Sequence, residues 1–156
     1  MNEMFRNFLG RMLGRRPPAL QVGALCLQAE TGSVLLVTSR GTGRWIIPKG
    51  WPMDGRSVGG AALREAWEEA GVRGEVEETA FGRYSYDKKL TKGLSAPVEV
   101  QVHLVRVEGL DKNFPERKQR QRRWFTPAEA AGLVDEAGLA RLLRRLPSPA
   151  APPNPR

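Results

Sequence analysis

The chain has 156 residues, enough for one domain with a substantial core and too few to expect two. Its formal net charge of +8, from 25 Lys and Arg against 17 Asp and Glu, favours anionic partners: a polyphosphorylated small molecule, nucleic acid or an acidic membrane surface. A single cysteine, Cys26, excludes an intramolecular disulfide and predicts a cytoplasmic location. With one histidine, His103, neither a Cys/His zinc site nor a Ser-His-Asp triad can be composed convincingly.

Residues 1–18 place Met, Phe and Leu at helical spacing with arginines between them, and they end at Pro17 and Pro18. This pattern predicts a short basic amphipathic helix. The segment lacks the continuous apolar stretch of a secretory signal and is too short to be a transmembrane span. We expect it to dock on the domain or to fray, with peripheral contact to an anionic membrane and pairing with a second subunit as alternatives. The oligomeric state stays open.

Three strands are predicted next, at residues 19–29, 33–39 and 44–47. Cys26 lies in the first of them and is expected to be a core residue rather than a nucleophile. The glycine-bearing loop between the second and third strands has cations around it, namely Arg40, Arg44 and Lys49. Such a loop either gathers phosphates or is only a flexible turn, and composition does not decide between the two.

A loop and a helix are predicted within residues 50–72, GWPMDGRSVGGAALREAWEEAGV. Proline and glycine fill the loop, Ser57 is a suitable N-cap, and Gly71 stands where a helix commonly ends. Helical spacing places Glu65, Glu68 and Glu69 on one side of the helix and apolar residues on the other.

Three carboxylates at this spacing repel one another, so a cation must offset them. Oxygen ligands of this kind suit hard divalent ions such as Mg²⁺ and Mn²⁺, which also engage substrate phosphates. The alternative from spacing alone is a solvated acidic face with Arg64 as its local partner.

After this helix, residues 73–86 should contain one or two strands, and residues 87–97 read as a basic, turn-rich loop that carries Lys88 and Lys89. Residues 98–107 alternate clearly and predict a strand with valines on one face. His103 falls on the polar face and is expected to be exposed or hydrogen-bonded rather than a metal ligand. Glu99 shares that face as a solvated carboxylate, with an additional ligand or base as the alternative.

Residues 116–123 carry five cations, Arg120 and Arg122 among them, and are typical of a solvated surface or a nucleic-acid contact. A capping box at residues 126–129 then begins a helix or helix pair over residues 130–146, broken near Gly138, with Leu133 among its packing positions. Residues 147–156 are rich in proline and predict a disordered tail.

The helix and its loop also resemble a known family motif. Gly50, Arg64, Glu65, Glu68, Glu69, Gly71 and Val72 all stand in the register of the Nudix box, G-x5-E-x7-R-E-U-x-E-E-x-G-U, where U is a bulky apolar residue. Two positions depart from the pattern. Arg56 stands where the family has a glutamate that helps to hold the loop and the box arginine, and Ala66 is small for an apolar position.

The resemblance implies an α/β protein, a Nudix-type α/β/α sandwich with a mixed sheet between helices, over residues 19–146. Arg40, residues 44–51, the basic residues beyond the box and residues 122–125 are most similar to the branch that hydrolyses diphosphoinositol polyphosphates and dinucleoside polyphosphates. The resemblance therefore implies metal-dependent hydrolysis of a phosphoanhydride bond in a highly phosphorylated small molecule.

By the same resemblance, Glu65 and Glu69 would bind Mg²⁺ or Mn²⁺ with the Gly50 carbonyl as a further ligand. Glu68 would be a ligand or the base that orients water, so all three glutamates count as catalytic. Substrate contacts are expected from cationic side chains that can pair with phosphate. These are Arg40, Arg44, Lys49, Lys88, Lys89, Arg120 and Arg122.

Two other functions remain open. The first is a Nudix nucleoside-triphosphate or coenzyme pyrophosphatase, for which aromatic residues such as Trp45, Trp51, Tyr84 and Tyr86 could stack on a base. The second is a catalytically weakened Nudix-like module that binds RNA or a polyphosphate, suggested by Arg56 and the net charge.

Overall fold

The computed structural model of the chain describes residues 18–147. The predictions of an N-terminal amphipathic helix and a proline-rich tail fall on residues 1–17 and 148–156, outside the described residues. Within residues 18–147, no helix is long and apolar enough to cross a membrane.

Eight strands and three helices make up the described chain. The strands are β1 (Ala19–Leu27), β2 (Val34–Thr38), β3 (Trp45–Ile46), β4 (Lys49–Gly50), β5 (Val72–Val76), β6 (Gly82–Lys89), β7 (Ser95–Leu110) and β8 (Arg122–Phe125). The helices are α1 (Val58–Ala70), α2 (Pro127–Leu133) and α3 (Ala137–Arg144), with one 3₁₀ turn at Thr91–Gly93.

The sheet is mixed and is built around a parallel pair. β1 runs parallel to β7 along its whole length, and every other pairing is antiparallel. β2 and β4 share the free edge of β1, while β5 and β6 share the free edge of β7. The short strand β4, paired through Gly50 to Val22, therefore lies beside the first half of β1.

Helices cover both faces of the sheet. On one face α1 packs four fully buried alanines, Ala61, Ala62, Ala66 and Ala70, against β1, β2 and β7. On the other face α2 and α3 pack against alternate residues of the same strands, with Leu139 and Leu143 fully buried. The predicted α/β/α sandwich is confirmed. The small side chain of Ala66 is explained as well, because α1 meets the sheet through alanines.

Both ends of α1 follow the sequence prediction. The Ser57 hydroxyl accepts a hydrogen bond from the Gly60 N–H at 3.0 Å, which satisfies a donor of the first turn. Gly71 ends the helix with φ 69°, and its N–H donates to the Trp67 carbonyl at 2.9 Å. A Cβ at Gly71 would lie 2.8 Å from the Asp111 carbonyl, so both conformation and space require glycine here.

The predicted basic loop at residues 87–97 is mostly strand. β6 continues to Lys89 and β7 begins at Ser95, and those two residues are paired in an antiparallel hairpin. Ladder hydrogen bonds to the long strand β7 override the turn composition of the sequence. As a result Lys88 is half-buried while Lys89 is exposed.

The expectation that His103 is exposed is wrong, and the alternative that it is hydrogen-bonded is confirmed. The side chain is fully buried, with Nε2 2.9 Å from the Gln101 amide and Nδ1 2.7 Å from the Glu77 carbonyl. The segment after β5 folds over this face, since the Glu77 N–H donates to the Leu104 carbonyl. Glu99 lies on the same strand and pairs with Arg83 of β6 at 2.7 Å.

The C-terminal helices confirm the predicted capping box and correct two details. Thr126 and Glu129 exchange the reciprocal hydrogen bonds of the box. The break between α2 and α3 lies at residues 134–136, and Gly138 is inside α3. Leu133 was expected to pack but is 42% exposed, because α2 ends there and its core contacts come from Ala130 and Ala131.

Candidate active site

Glu65 and Glu69, one turn apart on α1, face β4. A Cβ added to Gly50 would overlap the Glu65 carboxylate. The absence of a side chain at Gly50 therefore lets that carboxylate lie directly against the backbone of β4. The Glu69 Oε2 accepts a hydrogen bond from the Lys49 N–H at 3.1 Å, so α1 and β4 are joined at this point.

Glu69 is buried and Glu65 is half-buried beside it, and their carboxyl groups share a side-chain hydrogen bond. Burial, the hydrogen bond to Glu69 and the Glu69 charge all raise the pKa of Glu65. Burial also raises the pKa of Glu69, and the positive charge of Arg120 opposes that rise. Two carboxylates in this condition need either a shared proton or a cation between them.

Glu68 is not part of this hydrogen-bonded pair, but its charge also raises the pKa of Glu65. Its Oε1 accepts a hydrogen bond from Arg64 Nε at 2.9 Å, and its side chain is 30% exposed. The alternative of Arg64 as a local partner thus holds for Glu68. Within residues 18–147, no three His, Cys, Asp or Glu side chains converge closely enough to hold a metal ion by themselves.

The donors that do converge fit a partly hydrated divalent ion. Glu65 and Glu69 present carboxylate oxygen atoms beside Gly50, whose carbonyl stays a predicted ligand, and Glu116 is near enough for its charge to raise the pKa of both glutamates. Mg²⁺ is commonly held by one or two carboxylates while waters and substrate phosphates complete its coordination. A raised pKa in an acidic pair is also the electrostatic condition that a divalent cation relieves.

Arg120 is the cation that the acidic cluster requires within the chain itself. Its side chain is 8% exposed and contacts Glu69 at 3.2 Å, Glu116 at 3.0 Å and the Thr38 carbonyl at 2.9 Å. The prediction that residues 116–123 form a solvated surface therefore fails at this residue. Its donors are directed at protein acceptors, and its role as a substrate contact stays a prediction.

Four other predicted cations lie around the same end of the sheet. Lys49 Nζ is 5.2 Å from the ring centroid of Tyr86, and burial lowers its pKa to about 8, with the charges of Lys88 and Arg120 acting in the same direction. Burial and the charge of Arg40 lower the pKa of Lys88 as well, which places Arg40 beside it.

The guanidinium groups of Arg40 and Arg44 donate hydrogen bonds within the protein, and both side chains remain exposed to solvent. Arg40 donates to Gln119 at 3.0 Å and is 61% exposed. Arg44 donates to Asp135 at 3.1 Å and is 43% exposed. Side chains held in this way can reach a phosphate group without first being ordered.

Two of the predicted substrate contacts are not brought into this group. Arg122 donates to the carbonyls of Ala70 and Asp111 at 2.7 and 2.8 Å and lies over the ring of Phe114. It thereby holds the C-terminus of α1, where a cation is favourable. Lys89 stands on the exposed side of the β6–β7 hairpin.

Two acidic residues that sequence reasoning did not select adjoin the site. Glu116 stands four residues before Arg120, a spacing at which opposite charges can meet, and that signal was available. Glu136 precedes α3, and its side chain is 8% exposed, with Oε1 3.6 Å from Arg44. Its other oxygen, Oε2, is buried and has no hydrogen-bond partner within residues 18–147. Nothing in the sequence near Glu136 indicated this.

Comparison with known proteins identifies the family of the chain. The model of the NUDIX domain matches residues 17–146. Nudix hydrolase 12, mitochondrial, of Arabidopsis thaliana is 34% identical over 120 residues, which cover 70% of this chain and 56% of the relative. Diphosphoinositol polyphosphate phosphohydrolase 3-alpha of Homo sapiens is 45% identical over 58 residues, which cover 36% of this chain and 35% of the relative.

Solved structures agree with the fold. A C. elegans Ap4A hydrolase superposes with a TM-score of 0.56 at 21% identity, over 82% of this chain and 95% of the other. The E. coli dihydroneopterin triphosphate pyrophosphohydrolase gives 0.63 at 13% identity, over 81% and 94%. The chain spans about half the length of the plant relatives it matches. From the domain match, the plant relatives and the box on α1, the chain belongs to the Nudix family.

Proposed function

We propose that the protein hydrolyses a phosphoanhydride bond in a highly phosphorylated small molecule, with a divalent metal ion bound by Glu65, Glu69 and the Gly50 carbonyl. The observation that carries this proposal is the hydrogen-bonded Glu65–Glu69 pair against the side-chain-free backbone of Gly50. Lys49 stands beside this acidic pair, which itself needs a cation, and Lys88 stands beside Lys49.

The bound metal, Mg²⁺ or Mn²⁺, supplies neutralisation of the charge that develops on the phosphate oxygens. Glu68 is the carboxylate best suited to orient water or accept its proton, because it is partly exposed and is not part of the shared pair. Its hydrogen bond from Arg64 holds its orientation. Arg40, Arg44, Lys49 and Lys88 contact the phosphates that are not cleaved.

The substrate we favour is a diphosphoinositol polyphosphate or a dinucleoside polyphosphate. Support comes from the number of cations around the site and from the human relative, which is named for the first of these substrates. A C. elegans structure with the same fold is an Ap4A hydrolase. Both substrate classes carry several phosphates, so both would engage cations on either side of the cleaved bond.

The test is release of phosphate or nucleotide from a panel of diphosphoinositol polyphosphates, dinucleoside polyphosphates, nucleoside triphosphates and nucleotide sugars, with Mg²⁺ and with Mn²⁺. Glu69→Gln should lower kcat about 100-fold or more. The matched control is Glu75→Gln, a carboxylate on β5 that is 70% exposed and pairs only with Arg106 in the described chain. Equal turnover in both variants would contradict the proposal.

A nucleoside-triphosphate or coenzyme pyrophosphatase is the second candidate, and Glu136 favours it over a diphosphoinositol polyphosphate hydrolase, but not over hydrolysis of a dinucleoside polyphosphate, which also carries nucleosides. A buried carboxylate oxygen that lacks a donor is costly, and a substrate N–H or O–H would satisfy it. A nucleoside offers such groups, whereas a fully phosphorylated inositol does not. If this candidate is right, Glu136→Gln should raise KM for the nucleotide about tenfold and leave kcat nearly unchanged.

The binding-module alternative predicts a different result from the same panel. Such a protein would bind RNA with an affinity that falls steeply with salt and would turn over no member of the panel.

A cytoplasmic location stays a prediction that rests on the unpaired Cys26, which is buried. Relatives of the chain include a mitochondrial and a chloroplastic protein, so fractionation of cells that express the protein is the check.

A further inference from the structure

A second charged feature lies on the outer side of α1. It is a groove of about 330 Å³ between α1 and β5, which we call the arginine groove. Three arginines, Arg56, Arg64 and Arg73, line it together with Leu63, Trp67 and Val72. No acidic residue is among the residues that line it within the described chain.

The arginine groove is separate from the candidate active site. One face of α1 lines the groove, and it carries Gly60, Leu63, Arg64 and Trp67. Glu65 and Glu69 project from the other side of α1 toward β4. A ligand in the groove would therefore not touch Gly50 or the carboxylate pair.

The groove holds more donors than the protein uses. Arg64 and Arg73 donate from Nε to Glu68 and Asp111, at 2.9 and 2.7 Å, and their guanidinium groups make no further hydrogen bond within residues 18–147. The Arg56 side chain is exposed and makes no ion pair or hydrogen bond in the described chain. Its positive charge is also unfavourable beside the first turn of α1.

The walls of the groove hold these donors in place. Arg64 lies over the ring of Trp67 at 4.6 Å, and the Trp67 indole N–H donates to Asp111 at 3.1 Å. Asp111 also accepts a hydrogen bond from Arg73, so one carboxylate orients both the Trp67 and the Arg73 side chains. Apolar surface from Leu63 and Val72 lowers the local dielectric and strengthens the field of the guanidinium groups.

We propose that the arginine groove is an anion-binding site that takes a phosphate group, distinct from the site at which phosphoanhydride hydrolysis is proposed. Guanidinium groups bind phosphate through paired, charge-assisted hydrogen bonds. This groove presents three of them: Arg56 has no ion pair in the described chain, and Arg64 and Arg73 keep donors beyond the Nε that meets Glu68 or Asp111. The phosphate comes either as the free ion or on a phosphorylated metabolite, and the volume admits both.

The test measures binding without turnover, so that its failure is distinct from failure of the proposed hydrolysis. Metal-free protein is titrated with inorganic phosphate, pyrophosphate and glycerol 3-phosphate, while NMR follows the Trp67 indole N–H and the arginine Nε–H signals. We expect these signals to shift with saturation, and Arg56→Gln to weaken binding about tenfold. Arg83→Gln, an exposed arginine on β6, is the matched control and should not change the affinity.

Each outcome decides the proposal. Shifts that need only inorganic phosphate or pyrophosphate assign the groove to the free ions, and shifts with glycerol 3-phosphate assign it to a phosphorylated metabolite. Binding that Arg56→Gln leaves unchanged, or that Arg40→Gln removes instead, would overturn the proposal, because the anion would then lie at the active site. Equal melting temperatures of the variants show that a lost signal does not come from unfolding.

Discussion

Arg120 occupies the place that electrostatics requires for a cation beside the glutamates of α1. With 8% of its side chain exposed, it contacts both Glu69 and Glu116, so one guanidinium group bridges two carboxyl groups. Removing one member of such a network leaves an uncompensated buried charge, which typically costs about 3–5 kcal/mol. Arg120 belongs to a basic run, and for that reason the sequence predicted a surface position. Its long aliphatic side chain instead brings the guanidinium group inward to the two carboxyl groups.

Gly50 is the residue where space, rather than charge, decides the site. Gly50→Ala should displace the Glu65 carboxylate, because a Cβ would overlap it, and kcat should fall about tenfold or more while the fold is kept. Turnover and circular dichroism of the purified variant measure the two effects. Gly132→Ala is the control, since a Cβ there meets nothing within 4 Å. Unchanged turnover of Gly50→Ala would mean that Glu65 has no fixed position in the reaction.

At the scale of elements, short α2 depends on its N-terminal cap more than α1 does. It has seven residues, so the capping box of Thr126 and Glu129 supplies a large share of its fixed hydrogen bonds. Thr126→Ala should lower the free energy of unfolding by about 1 kcal/mol, measured by urea denaturation at pH 7. Loss of turnover in excess of that small stability change would contradict a purely structural role.

The same cap gives a pH dependence with a definite sign. Hydrogen bonds from the backbone and side chain of Thr126 lower the pKa of Glu129 below its ordinary value of 4.5. A carboxyl whose folded pKa is lowered stabilises the folded state above its unfolded pKa and loses that contribution as pH falls through the folded value. The difference in stability between wild type and Glu129→Gln, which removes the titrating group, should therefore shrink as pH falls below 4.5. A difference that stays constant in acid would show that Glu129 is not coupled to the cap.

At the scale of the whole molecule, metal binding and folding are linked. A divalent ion that binds Glu65 and Glu69 only in the folded chain stabilises it by about 2.7 kcal/mol at a concentration of 100 times Kd. The melting temperature should therefore rise with Mg²⁺ or Mn²⁺ in wild type and not in Glu65→Gln. Glu75→Gln should respond like wild type. A rise that persists in Glu65→Gln would place the metal elsewhere in the protein.

Local sequence determined the elements that carry the chemistry. Ser57 and Gly71 set the two ends of α1 because capping and positive φ are properties of single residues and their neighbours. Helical spacing then placed Glu65 and Glu69 together, and hydrophobic alternation predicted a strand within β7 with its valines on one face. Family membership was readable for the same reason, since the box is one continuous stretch.

Only the tertiary structure decided which charges meet. Arg120 reaches Glu69, Glu136 is buried beside Arg44, and His103 is covered by the segment after β5, all through contacts between residues far apart in sequence. Spacing along one element cannot predict these contacts, because they depend on how strands and helices are arranged around the sheet. The arginine groove likewise joins Arg73 of β5 to α1, and its three guanidinium groups share a surface only once the two elements pack together.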